Sequence, residues 1–309
     1  LHTARIVPVY RESKGITSTL VRRVLYQVIK VAKLLPEPQP DNIRNKYGLL
    51  SYGDAVSELH FPSSREAFKD ARRSIGFIEV FELMLASALN KAENMLETAP
   101  KITFREDLAK KFVNSLPYTL TNAQRIAAWQ IYQDIAREVP MNRLLEGDVG
   151  SGKTVVAGMA GLMAIEEGFQ VALMAPTELL ARQHAETLTE LFTATGHAKE
   201  ISLLVGSLKP AQKKIAQERI NSGDIKFIIG TQALLQEKVD LKNLGLLVVD
   251  EQHRFGVDQR KQLLKKSKKM PHVLSMTATP IPRSLALTLY GDLDVSILDV
   301  MPMGRKPII

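Results

Sequence analysis

Apolar positions follow two spacings along this chain. Up to about residue 110 they recur at helical steps. Residues 1–15 read as one extended segment ending in a loop, and a lone strand needs partners to bury it. Thr17 or Ser18 can cap a helix that carries Leu20, Val24, Val28 and Val31 on one face, stopped by the cluster Pro36-Glu37-Pro38-Gln39-Pro40. A shorter helix starts near Ser51. Ser63 with Glu66 makes a capping box for a long helix reaching about residue 97. Its stripe of Phe77, Phe81, Met84, Ala88 and Met95 reads as core packing, the alternative being aromatic contact with nucleic-acid bases. Pro100 closes this region, and residues 16–110 are assigned to a helical linker with no visible chemistry.

From about residue 111 apolar strands alternate with amphipathic helices. Strands are predicted at 143–146, 170–175, 201–205, 226–229, 246–249 and 272–276, with helices at 121–137, 152–167, 178–193, 210–221 and 259–265. Strands this uniformly apolar, separated by helices, predict an α/β fold: a parallel sheet covered on both faces. Right-handed crossovers then bring the loops that follow the strands to one edge, where ligands bind.

That edge receives the richest chemistry of the chain. Gly147-Asp148-Val149-Gly150-Ser151-Gly152-Lys153-Thr154 matches the phosphate-loop pattern G-x-x-x-x-G-K-[ST] between a strand and a helix. Glycines let successive amides approach an anion, and the helix start adds its positive end. Lys153 supplies a charge between the β- and γ-phosphates of a nucleotide, and Thr154 a hydroxyl for Mg²⁺. The alternative is a glycine turn that binds nothing. A second apolar strand, 246–249, empties into Asp250 and Glu251. In a phosphate-loop protein such an acid reaches the metal, which assigns Asp250 to Mg²⁺; Glu251, one residue on, is placed to orient and deprotonate water. His253 reads either as a structural histidine linking these acids to the next strand or as a group with a direct chemical role.

Composition adds bounds. At 309 residues, 45% apolar and 24% charged, the chain has room for about two domains with a sizeable core. No run of apolar residues is long enough to span a membrane. Zero cysteines excludes disulfides and thiolate metal sites and is compatible with the cytoplasm. The net charge of +8 favours a polyanionic partner. Arg260, Lys261, Lys265, Lys266, Lys268 and Lys269 form the one charge block, either a solvated helix face or a nucleic-acid contact. Leu1 rather than Met at the start suggests a fragment.

Five segments stand in the order typical of superfamily 2 helicases: Gly147 to Thr154, Ala175-Pro176-Thr177-Glu178-Leu179-Leu180-Ala181-Arg182-Gln183-His184, Gly230-Thr231-Gln232-Ala233-Leu234, Asp250-Glu251-Gln252-His253-Arg254-Phe255-Gly256, and Ser275-Met276-Thr277-Ala278-Thr279-Pro280-Ile281-Pro282-Arg283. The last two, with Leu59-His60-Phe61-Pro62 and residues 71–77 upstream, resemble the RecG family of bacterial ATP-dependent translocases on branched DNA. The resemblance implies that Gln124 reads adenine, that Thr177 and Thr231 hold the nucleic-acid backbone, and that Ser275 and Thr277 couple phosphate release to lobe movement, their strand-end hydroxyls either bonding Asp250 or Glu251 or serving as structural caps. As lone threonines, Thr177 and Thr231 would more often be helix caps. For Arg283 no role follows. The resemblance further implies that residues 1–15 are the tail of an OB-fold wedge domain and residues 111–309 a first RecA-like lobe, with ATP and Mg²⁺ as ligands and branched double-stranded DNA as partner. The second lobe, source of an arginine finger worth ~10³ to 10⁵ in rate, is expected to lie beyond residue 309, so this chain alone should not unwind DNA. A non-motor ATP-binding DNA clamp, an RNA helicase and a small-molecule phosphotransferase are the rival readings.

Overall fold

Capping residues start most helices of the first third of the chain, seen in a computed structural model that describes residues 6–236, 238–241, 243–251, 269–278 and 293–300. The chain forms two units, Leu1–Ser87 and Ala88–Ile309. In the first, Thr17 accepts from the Leu20 amide and opens helix α1 (Ser18–Val28), prolonged by a 3₁₀ turn at Ile29–Leu34. Helix α2 (Asp41–Tyr47), not anticipated from spacing, ends at Gly48, and Ser51 caps α3 (Tyr52–His60). Helix α4 (Arg65–Asn94) opens on Ser64, whose hydroxyl accepts from the Ala67 amide at 3.0 Å. Ser63 bonds Glu58 instead, so the cap lies one residue beyond the expected Ser63–Glu66 box. Residues 6–15 form no strand; an isolated bridge joins Ser13 and Ile16.

The expected core stripe of α4 is covered only at its start, where Phe77 and Phe81 are half-buried and stack with ring centroids 6.1 Å apart. Ala71, Ser74 and Ile78 are its buried residues, whereas Met84 and Met95 stay about half exposed and Ala88 is exposed. Leu20, Val24, Val28 and Val31 are likewise exposed. Helical spacing marks an apolar face without supplying the layer that covers it, and Val80, Leu83, Leu85 and Leu89 leave α4 apolar on more than one side.

The second unit holds helices α5 (Glu106–Asn114), α6 (Asn122–Ile135), α7 (Lys153–Glu166), α8 (Glu178–Thr193) and α9 (Pro210–Ser222). Its strands are β1 (Asn142–Gly147), β2 (Gln170–Met174), β3 (Ile201–Leu204), β4 (Phe227–Gly230), β5 (Leu244–Asp250), β6 (His272–Thr277) and β7 (Asp294–Leu298). They form one seven-stranded parallel sheet in the order β3-β4-β2-β5-β6-β1-β7. The α/β parallel-sheet expectation holds, and the six predicted strands agree within two residues. β7 and α5 were not anticipated, and the helix read at 259–265 lies outside the described residues. Ile102 and Leu108, from the stretch read as linker, sit with Phe112 in the core of this unit.

Residues 155–165 of α7 are all buried, which is why that helix shows no polar face. Gly161 lets it approach the sheet: a Cβ there would run into the buried ring of Phe227. His272 on β6 fastens the segment before α5 to the sheet. Its Nδ1 accepts from the Met141 amide at 3.0 Å, and its Nε2–H donates to the Pro100 carbonyl at 2.7 Å. Burial pushes its pKa below the ordinary 6.5. Among the described residues no helix is long and apolar enough to cross a membrane.

Two predictions follow from this packing. Gly161→Ala gains helix propensity of about 1 kcal/mol but must displace a close-packed ring at about 1–3 kcal/mol, so a net loss of roughly 1 kcal/mol is expected in urea unfolding. Because the folded state keeps His272 neutral and the unfolded state binds a proton near pH 6.5, stability should be full above that value and fall as pH drops below it. A His272→Gln variant should lose that component of the pH dependence in thermal melts.

Candidate active site

β1 is buried along its last five residues and delivers its chain at Gly147 to the carboxyl edge of the sheet. There the backbone turns through residues 148–152, with Gly150 and Gly152 at φ of 80° and 90°, before α7 begins at Lys153. Asp148, Val149 and Gly150 are exposed, while Ser151 is buried and its hydroxyl has no hydrogen-bond partner. The Lys153 ammonium lies back along the loop and donates to the carbonyls of Gly147 at 2.6 Å and Asp148 at 3.1 Å. Burial holds it below the ordinary lysine pKa, opposed by the carboxylates of Asp250, Glu251 and Asp148.

Gln124, expected to read adenine, bonds backbone at both ends of its carboxamide. It is wholly buried; its Oε1 accepts from the Thr121 amide at 2.8 Å and its Nε2 donates to the Ser151 carbonyl at 2.7 Å. One acceptor and one donor of the carboxamide are thus engaged by backbone, and it braces the loop from the side of α6. The brace explains Gly152, where a Cβ would strike the Gln124 amide.

β5 ends in Asp250 at the same edge, with β6 alone between it and β1. Glu251 follows at φ 53°, the one non-glycine of positive φ among the described residues. Such a backbone costs roughly 1–3 kcal/mol and turns the second acid sharply off the strand line. Its carboxylate and that of Asp250 both act on Lys153, so the loop and the strand end face one another.

On β6, Ser275 pairs with Leu144 on one side and Val249 on the other, and its buried hydroxyl has no partner. The bond to Asp250 or Glu251 expected of a coupling hydroxyl is therefore not made by Ser275. Thr277 is buried next to Glu146 in the register. Thr177 and Thr231 follow β2 and β4, neighbouring strands whose ends Met174 and Gly230 are paired. Thr177 caps α8, accepting from the Leu180 amide at 3.3 Å, as a lone threonine in that place does; Thr231 precedes a 3₁₀ turn without a side-chain cap. His253, Arg283 and residues 260–268 of the basic run lie outside the described residues.

One residue of the site was missed in the sequence. His184 of α8 bonds Thr154 Oγ1 through Nδ1 at 3.3 Å and Asp250 Oδ2 through Nε2 at 2.8 Å. The signal was a polar residue between Ala181 and Leu188 on the buried face of an amphipathic helix. The bridge brings Thr154 and Asp250, the two residues assigned to the metal from the sequence, within an imidazole's reach of each other. No group of three or more metal-ligating side chains exists among the described residues. One hydroxyl and one carboxylate suit Mg²⁺, which takes one or two protein oxygens and completes its shell with phosphates and water, so the residues fit that ion.

A model of the DEAD/DEAH box helicase family matches residues 121–288. The ATP-dependent DNA helicase RecG of Synechocystis is 45% identical over 305 residues, which cover 98% of this chain and 36% of that protein. RecG of Bacillus subtilis is 44% identical, covering 98% of this chain and 44% of its own length. A solved structure of RecG bound to a three-way DNA junction superposes with a TM-score of 0.82 at 42% identity, over 98% of this chain and 41% of that one. The chain thus spans about two fifths of the length of these relatives. With the family match running over more than half of its residues, the chain belongs to the DEAD/DEAH box helicases.

Proposed function

We propose that this chain is the nucleotide-binding part of an ATP-dependent DNA helicase or translocase that remodels branched DNA, stalled replication forks and Holliday junctions, in recombination and repair. One observation carries the reading: the loop at 147–154 and the acids Asp250 and Glu251 lie at one edge of the sheet, with His184 bonded to both Thr154 and Asp250. Relatives that bear the name ATP-dependent DNA helicase, one of them described on a three-way junction, support the substrate class.

In this reading the loop amides of residues 148–152 and the start of α7 bind the triphosphate of ATP. Lys153 exchanges the carbonyls of Gly147 and Asp148 for phosphate oxygens, a move its short bonds within the loop make local. Thr154 and Asp250 hold Mg²⁺, which when bound neutralises charge on the β- and γ-phosphates. Glu251 orients the attacking water and takes its proton on the carboxylate. Gln124 keeps the loop shaped from behind, and its carboxamide retains a second donor and acceptor with which to read adenine. Thr177 and Thr231, with the amides beside them, hold phosphodiesters irrespective of sequence. Ser275, Thr277 and His253 transmit the state of the site to a second lobe.

The same proposal assigns residues 1–15 to the end of an OB-fold wedge, 16–110 to a linker and 111–309 to a first RecA-like lobe in the cytoplasm, with a second lobe completing the motor. Lobe closure over the nucleotide and reopening after hydrolysis would step the protein along the DNA backbone.

In the full-length protein, Lys153→Ala should weaken nucleotide binding by at least about tenfold, since it removes a charge-assisted contact to phosphate. Glu251→Gln should bind ATP as the wild type does and lose about 10²–10⁴ in turnover; hydrolysis at the wild-type rate would remove the base assignment. Turnover should rise with forked DNA and not with RNA, and the stimulation should weaken steeply with salt. A wild-type protein that binds ATP but hydrolyses it negligibly with any nucleic acid would sink the motor reading.

A further inference from the structure

We propose that His184 is the positioning residue of the metal pair: its ring fixes Thr154 and Asp250 in the arrangement a divalent cation needs, so that metal-dependent nucleotide binding depends on α8. The inference rests on the assignment of Thr154 and Asp250 to the cation.

Hydrogen-bond chemistry gives the bridge a direction. A carboxylate oxygen only accepts, so the 2.8 Å contact to Asp250 Oδ2 requires the proton on Nε2 of His184. Nδ1 of the neutral ring is then bare and accepts the Thr154 O–H across 3.3 Å. That polarity matters, because a cation needs oxygen lone pairs. A hydroxyl whose hydrogen is drawn to Nδ1 has its lone pairs left for a ligand, and Asp250, with Oδ2 engaged, keeps Oδ1. One ring thereby orients both donors.

The ring is held for this task. The side chains of His184 and Asp250 are 11% and 9% exposed, so water competes weakly for either bond. Ala181 and Leu188, one turn to either side of His184 on α8, are fully buried and fix the helix face that presents it. Groups that orient ligands in this way typically influence metal affinity by about 10–100-fold.

The test measures binding of a fluorescent ADP analogue to the full chain by anisotropy, in Mg²⁺ and in EDTA, for the wild type, Asp250→Asn, His184→Ala and His184→Phe. Mg²⁺ should tighten binding to the wild type, and Asp250→Asn should lose that gain. His184→Ala and His184→Phe, the second of which refills the space without either bond, should each lose about tenfold of the gain while affinity in EDTA and melting temperature stay at wild-type values. If both keep the whole gain, the proposal falls and the assignment of Asp250 stands. If both lose affinity in EDTA to the same extent, His184 serves the fold of the loop alone and the proposal falls as well. Absence of a Mg²⁺ gain in the wild type would overturn the cation assignment itself. Should neither variant melt cooperatively, ¹⁵N-histidine spectra of the nucleotide-free wild type decide: a protonated Nε2 and bare Nδ1 support the bridge, and the reverse tautomer overturns it.

Discussion

Because all seven strands run one way and the helices between them return the chain across the faces of the sheet, each loop that leaves a strand emerges at the same edge. No local preference of Lys153 or Asp250 would bring them together across the hundred or so residues that part them in the chain. Parallel direction does so, and strand order sets the distance. β1 and β5 are separated by β6 alone, two strand spacings or about 10 Å, which is the breadth of a metal-bound triphosphate rather than that of a direct salt bridge. Thr177 and Thr231 leave β2 and β4 at the same edge, on the far side of β5. One sheet edge therefore carries the nucleotide chemistry at one end and the proposed backbone contacts at the other.

Within that frame, two buried polar side chains shape the loop from opposite sides. Gln124 holds the Ser151 carbonyl from α6, and His184 holds Thr154 from α8. Neither is bound to an exposed group that water could replace cheaply, and losing one partner of a buried hydrogen bond costs about 1–3 kcal/mol. The loop amides stay outward while the loop backbone is anchored inward. α8 also joins functions along its length. Thr177 caps its start, Glu178 bonds Ser207 beyond β3, and His184 lies two turns further on beside the acids. A helix is stiff over that span, so the proposed nucleic-acid end and the metal end of α8 move as one body.

The helical region shows where spacing stops being informative. In the second unit an apolar stripe meets a sheet, and α7 is buried along nearly its whole length because neighbours pack on it from every side. In α1 and α4 stripes of comparable regularity remain exposed among the described residues. The same contrast appears at single residues. Ser63 and Glu66 satisfy the capping pattern, yet the cap falls on Ser64 because Glu58 of the preceding helix takes both groups of Ser63. Local patterns state what a residue is able to do; a competing partner decides whether it does so.

What the sequence determined by itself was the fold class, six of the seven strands to within two residues, and the glycine-rich loop and strand-end acids that share one edge. These are encoded by near neighbours: glycines where the backbone must turn, a lysine and threonine where a helix starts, apolar runs where a strand is covered on both faces. What the tertiary structure decided were the roles that depend on residues far apart in the chain. Gln124, read as a base-contacting amide, also bonds its own helix cap and a loop 27 residues away, a bracing contact that no local pattern announces. His184 had no assigned role until its helix was laid beside β5 and the start of α7, and Ser275 acquired a buried, unpartnered hydroxyl in place of the expected bond. Hydrogen bonds reach only about 3 Å, so which pairs come within range is settled by how helices and strands pack rather than by the composition of any one of them.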